Sequence, residues 1–153
     1  MSGQTAKSIF VFSVLIAVLM LGSCGKESEE GATAGGVNWL SSMEEAVAQA
    51  ERQDRPIMVD VYADWCGWCK RLDSDTYVDA KVVAKSGEFV SLKLDADANR
   101  SVLSRYKIGG LPTIIFIDAD GHEIHRVIGY KPPEEFVHDM DTALDAFRNG
   151  KGT

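Results

Sequence analysis

Between residues 40 and 147 the apolar positions change period several times, and each change marks an element. Leu40, Met43, Val47 and Ala50 share one helical face. Ser41 and Ser42 each precede a glutamate by three residues (Glu44, Glu45), so either can open a capping box, and Asp54-Arg55-Pro56 stops the helix. Residues 57–62 (Ile-Met-Val-Asp-Val-Tyr) form an almost unbroken apolar run of strand length, the pattern of a strand buried on both faces. The spacing then predicts a helix over 66–76, a short helical piece over 78–85, a strand over 89–94 and a short helix over 99–106. Residues 113–118 (Thr-Ile-Ile-Phe-Ile-Asp) read as a strand, Ala119-Asp120-Gly121 as a hairpin turn, and residues 123–128 as the returning partner. Pro132-Pro133 opens a last helix whose Phe136, Val137, Met140, Ala143, Leu144 and Phe147 make one apolar stripe. Alternation of helix and strand that ends in a hairpin and a helix predicts an α/β fold, a central mixed sheet flanked by helices on both faces.

The beginning of the chain has no such alternation. Lys7 precedes an apolar run from Ile9 to Leu21, interrupted only by Ser13. As a helix this run would rise about 20 Å, short of a hydrocarbon core of about 30 Å, and it fits the apolar region of a secretory signal. Leu21-Gly22-Ser23-Cys24 resembles a bacterial lipobox, which implies cleavage after residue 23 and lipid attachment to the Cys24 thiol. A plain signal peptide that leaves a free Cys24 and a short uncleaved anchor are the alternatives. Lipidation is preferred because it also accounts for the odd cysteine in an oxidising compartment. Residues 24–37, after Cys24, are mostly Gly, Glu, Ser, Ala and Thr with no apolar period, a flexible linker. The expected organisation is a signal peptide over 1–23, that linker, and a single domain over 38–150. Gly25 supplies no aspartate-type inner-membrane retention signal, so the expected place is the periplasmic side of a bacterial membrane, the outer membrane ahead of the inner.

Composition narrows the partners. The 153 residues are 45% hydrophobic and 25% charged, ordinary for a globular domain, with a net charge of −7. An acidic chain is poorly suited to nucleic-acid backbones or anionic lipid surfaces, which need a cationic face.

The chemistry lies in Trp65-Cys66-Gly67-Trp68-Cys69-Lys70, placed where the first strand turns into a helix. A cysteine at a helix N-terminus meets unpaired N–H groups and the positive end of the helix dipole, which favour the thiolate. Lowering a thiol pKa from about 8.5 to about 7 raises the thiolate fraction at pH 7 from about 3% to about 50%. Cys69, one turn further in, can attack a mixed disulfide on Cys66 and release the substrate. Zinc would need four ligands, and only His122 and His125 could join the two cysteines. Residues three apart on a strand point to opposite faces, so these two do not converge. No metal is expected. His138, on the last helix, reads as surface. A purely structural bridge is disfavoured, because a two-residue spacer closes too small a loop to restrict the unfolded chain.

These residues resemble the thioredoxin family. Residues 56–70, from Pro56 through Asp60-Val61-Tyr62-Ala63-Asp64 to Cys66-Gly67-Trp68-Cys69-Lys70, are similar to its strand and active-site signature, and Gly109-Gly110-Leu111-Pro112-Thr113 to its second signature. Within the family the Asp-Val-Tyr-Ala-Asp-Trp-Cys wording resembles the C-terminal periplasmic domain of DsbD-type transmembrane reductases and bacterial lipoprotein thioredoxins. Trp68 departs from the Pro or His that other members carry there. The resemblance implies a cis Pro112 facing the cysteines, a Leu111 backbone that pairs with a substrate segment, Asp60 as a buried acid behind Cys69, and Lys93 as the lysine beside it. Burial would raise the Asp60 pKa and fit it to take the Cys69 proton. Trp65, Gly67 and Trp68 complete the substrate side, Trp65 through packing more than recognition and Trp68 as an exposed contact.

The expected protein is a membrane-tethered, extracytoplasmic thiol–disulfide oxidoreductase, a monomer that reduces or isomerises disulfides of client proteins. It uses no cofactor beyond the Cys66–Cys69 disulfide and draws electrons from a DsbD-type transmembrane donor. A disulfide-introducing oxidase and a redox-sensitive client-binding module without turnover are the alternatives.

Overall fold

The computed structural model describes residues 35–150; the expected signal peptide, Cys24 and all but the end of the linker lie outside the described residues. In chain order the elements are α1 (Met43–Gln53), β1 (Ile57–Tyr62), α2 (Gly67–Arg71) running into a π-helical turn (Leu72–Thr76), α3 (Ala80–Ser86), β2 (Val90–Asp95), α4 (Arg100–Arg105), β3 (Thr113–Ile117), β4 (Glu123–Ile128) and α5 (Pro133–Gly150). The four strands form one sheet in the order β2-β1-β3-β4. β1 runs parallel to β2 and antiparallel to β3, and β3 pairs antiparallel with β4.

β1 is buried on both faces, so its pleat feeds two cores. Ile57, Val59 and Val61 join Ala46 and Ala50 of α1, Leu92 and Leu94 of β2, and Tyr106 just after α4. Met58, between them in sequence, joins Leu72, Tyr77, Val82 of α3, Phe116, and Phe136, Met140 and Leu144 of α5. Helices therefore cover both faces of a mixed sheet, as the apolar pattern predicts. In the core on the α5 face, Phe136 packs its ring 5.7 Å from Tyr77 and 6.5 Å from Phe116.

Local chemistry sets the ends of the elements. Ser42, not Ser41, caps α1, its hydroxyl accepting from Glu45 N at 3.3 Å. α3 begins at Ala80, two residues later than expected, because Asp79 caps it by accepting from the N–H groups of Lys81 and Val82. The predicted helix over 66–76 changes period on the way: Tyr77 N donates to Leu72 O at 2.9 Å, a five-residue step. That wider turn buries both Leu72 and Thr76, and Thr76 Oγ1 then donates to Lys131 O at 2.6 Å, tying it to the loop before α5. The turn after β3 uses Gly121 at φ 81°, in the left-handed region, with a Cβ there only 2.5 Å from the Arg105 guanidinium. Val37, the last residue of the expected linker, is buried and donates its N–H to Tyr77 O. Leu40 then pairs along β2 through Ser91 and Lys93, covering that sheet edge.

Candidate active site

Cys66 and Cys69 lie past the C-terminal end of β1 and are joined by a disulfide with a Cα–Cα separation of 5.3 Å. Cys66 is the N-cap of α2, and its Sγ accepts the Cys69 backbone N–H at 3.1 Å. The same N–H would hold a thiolate at Cys66, because an anionic sulfur is the stronger acceptor. Both cysteines are nearly covered, at 6% and 3% exposure, so position in the helix rather than exposure separates them. They pack with Ala63, Tyr62 and Leu111. Gly67 is exposed as the first helical residue.

The Leu111–Pro112 peptide is cis and leads directly into β3. Pro112 O accepts from Gly129 N at 2.9 Å, and Thr113 Oγ1 donates to Gly110 O at 2.8 Å. These bonds pin the segment on either side of Leu111, which packs against the cysteines.

Beneath α2 lies a charged cluster set by strand register. Asp60 of β1 is paired with Lys93 of β2 in the parallel ladder, and the pleat points both toward the α2 face. Lys93 Nζ is 3.4 Å from Asp60 Oδ2 and also pairs with Asp73 of the π-helical turn. Its ammonium sits over three rings, 5.0 Å from the Tyr62 centroid, 5.5 Å from Tyr77 and 5.6 Å from Trp39. Asp60 is 1% exposed, and its carboxyl is pushed up to about 6: burial raises it most, the Lys93 charge opposes burial, and Asp73 adds to it. Asp73 and Tyr77 are absent from the sequence reading. Asp73 stands four residues after Cys69, so helical spacing could have flagged it as a neighbour of the inward cysteine, whereas Tyr77 follows the wider turn, where that spacing no longer holds.

The two tryptophans differ from each other. Trp68 is 56% exposed and held rather than loose, its ring 5.8 Å from Tyr130 with the Arg71 guanidinium over both rings. Trp65 does not pack as the sequence reading expects. It is 71% exposed, and its indole N–H donates to Asp97 Oδ2 at 2.9 Å. Trp65 follows the end of β1 and precedes the first turn of α2, where no sheet layer is left to receive a ring.

His125 is 3.0 Å from Asp139 and His122 is 3.0 Å from Asp118, so the two histidines are committed to different carboxylates. Among the described residues, the group that brings three metal-type side chains together is Asp118, Asp120 and His122, at the hairpin, and it includes neither cysteine. His138 is exposed.

A strand that ends in a capped CxxC helix, opposed by a cis proline at the start of an antiparallel strand, defines a dithiol–disulfide protein. The model of the thioredoxin-like domain family matches residues 43–144, and the chain belongs to that family. It is 36% identical over 135 residues to the thiol:disulfide interchange protein DsbD of Ralstonia nicotianae, a match covering 84% of this chain and 22% of that protein. The chain thus spans about a fifth of the length of the curated relatives it matches. Among solved structures it resembles the DsbH oxidoreductase, with a TM-score of 0.65 and 22% identity over 72% of this chain and 86% of that one. The oxidised C-terminal domain of DsbD from Neisseria meningitidis gives a TM-score of 0.57 and 23% identity over 66% of this chain and 95% of that one. These two likenesses concern the fold. No helix among the described residues is long and apolar enough to cross a membrane.

Proposed function

We propose that the protein is an extracytoplasmic thiol–disulfide oxidoreductase that reduces or isomerises disulfides of client proteins. The observation that carries this reading is the Cys66–Cys69 pair, bridged across one helical turn with the Cys69 N–H aimed at the Cys66 sulfur. In the reduced protein the Cys66 thiolate attacks a client disulfide. An S–S bond forms between Cys66 and one client sulfur, and the other client sulfur leaves with the electron pair and takes a proton. Cys69 then gives its proton to Asp60, directly or through water, and its sulfur attacks Cys66. The Cys66–Cys69 bond forms, the Cys66–client bond breaks, and the second client thiol is released. Two electrons pass from the dithiol to the client, so the cycle requires a dithiol donor, for which a DsbD-type transmembrane reductase is suited. Leu111 supports the substrate side: its main chain has no hydrogen-bond partner among the described residues, leaving it open to an extended client segment. Trp68 offers that segment a fixed aromatic surface, and Trp65 stands exposed on the flank of the helix start.

Direction follows from what surrounds Cys66. Strong oxidants of this chemistry stabilise the reduced form, and Gly67 and Trp68 bring no imidazole to the thiolate. The full chain, reduced and then equilibrated with glutathione at pH 7, should show a midpoint in the lower half of the range from about −270 to about −120 mV. It should also turn over insulin disulfides with dithiothreitol as donor. A midpoint near −120 mV would instead establish an oxidase, and binding of clients without turnover would establish a redox-sensitive module.

We further propose that Cys24 carries a lipid that tethers the domain to the periplasmic side of the membrane through the 24–37 linker. The Cys24→Ser protein should leave the membrane fraction or remain unprocessed. Wild-type protein recovered soluble with a free Cys24 thiol would defeat the tether.

A further inference from the structure

The cluster beneath α2 contains two buried polar atoms without a normal hydrogen bond, one on the Asp60 carboxyl that the exchange cycle uses and one on Tyr77, which that cycle leaves out. Asp60 Oδ1 and the Tyr77 hydroxyl are both inaccessible, and neither makes a hydrogen bond of normal geometry in the oxidised protein, although the two lie near enough for a weak one between them. Buried polar groups are almost always paired, so two orphans in one cluster call for a physical account. They face each other closely enough to couple: Asp60 holds the phenol up, and the phenol draws the Asp60 carboxyl down against the effect of burial. The ring itself is immobilised, 4.9 Å from Trp39 and 5.7 Å from Phe136. The Lys93 ammonium that pairs with Asp60 Oδ2 lies over the same ring, leaving Oδ1 as the carboxylate oxygen without a normal hydrogen bond. Burial above all, then Asp60 and Asp73, keep the phenol pKa well above 10, so the hydroxyl retains its proton and serves as a donor.

We propose that Tyr77 is a positioning residue for the resolving step, its hydroxyl closing onto the free Asp60 oxygen when that carboxyl is ionised and so holding the base in its charged form behind Cys69. This rests on the proposed oxidoreductase cycle and names a further member of its machinery. No Tyr77 bond breaks. The Cys69 proton goes to Asp60, the sulfur electron pair forms the bond to Cys66, and the electron pair of the broken Cys66–client bond leaves on the client sulfur, which takes its proton from solvent. The titratable groups around Asp60 are Lys93 from β2, and Asp73 and Tyr77 from the π-helical turn and the residue after it. β3 places the apolar Ile114 opposite it, and α5 brings Phe136 against the Tyr77 ring.

The test is Tyr77→Phe in the full chain, which keeps the ring and removes only the hydroxyl. Carbon-13 NMR of the Asp60 carboxyl, assigned with Asp60→Asn, should show its midpoint raised by roughly one unit. In wild type, the Tyr77 carbon bearing the hydroxyl should titrate with the same midpoint as Asp60. Resolution of a pre-formed Cys66–client disulfide should be about fivefold slower near pH 6, as a one-unit shift of the base requires, and unchanged above about pH 8.5. An Asp60 midpoint that stays put or falls overturns the proposal. So does a rate loss of equal size at every pH, since that marks a packing defect. The titration needs no turnover, so it reads Tyr77 even if the oxidoreductase cycle itself fails its own test.

Discussion

Cys69→Ala is expected to turn the protein from a catalyst into a stoichiometric trap for its clients. Cys66 keeps everything that makes it a nucleophile, including its place at the N-cap of α2, and still attacks a client disulfide. The second attack then has no sulfur to make it. In the wild type that step is intramolecular, from a residue whose Cα lies 5.3 Å away. Groups held in this way outcompete millimolar external thiols by orders of magnitude. Insulin turnover should fall to the uncatalysed background, and non-reducing gels should show client adducts that dithiothreitol releases. Cys66→Ala should lose turnover equally yet form few adducts, because Cys69 sits inside the first helical turn and lacks the N-cap position of Cys66. Adducts that accumulate on Cys69 in place of Cys66 would reverse the roles of the two cysteines.

Much of this arrangement can be read in the chain because the elements that carry it are apolar and periodic. β1 and β3 announce themselves by runs that only a two-sided sheet can bury, and register then brings Asp60 beside Lys93 with no further signal. Features that depend on a break in period are hidden. The π-helical turn adds a residue to the helix, so a 3.6-residue pattern drawn through 66–76 cannot say which face Tyr77, just beyond it, takes. Trp65 misleads for another reason. Its apolar ring argues for burial, but the residue stands beyond the last sheet layer, where Asp97 holds it by one hydrogen bond. The grouping of Arg71, Trp68 and Tyr130 joins residues up to 62 positions apart, through a loop that has no periodicity to read.

The second large effect concerns Asp60, where stability and activity should move in opposite directions. The carboxyl titrates near 6 in the folded, oxidised protein against an ordinary value of 3.8. Between those values the native state holds more protons than the unfolded chain, so stability falls as pH rises from about 4 through 6. Above pH 7 the folded protein carries the full cost of the buried charge, about 3 kcal/mol. Asp60→Asn removes that charge without changing the side-chain shape, and Asp73 still pairs with Lys93, so no buried cation is stranded. The variant should therefore be more stable at pH 8 by up to about 3 kcal/mol, a rise in Tm of about 10 °C, with the gain gone by pH 4. The same substitution removes the base that takes the Cys69 proton, and resolution of the Cys66–client disulfide should slow by roughly a hundredfold near neutral pH. Urea unfolding at several pH values reads the first effect and thiol-trapping kinetics the second. An Asp60→Asn protein less stable than wild type at pH 8 would mean that Asp60 serves the fold as an ion-pair partner. Unchanged resolution kinetics would remove Asp60 from the exchange cycle and leave solvent as the acceptor of the Cys69 proton.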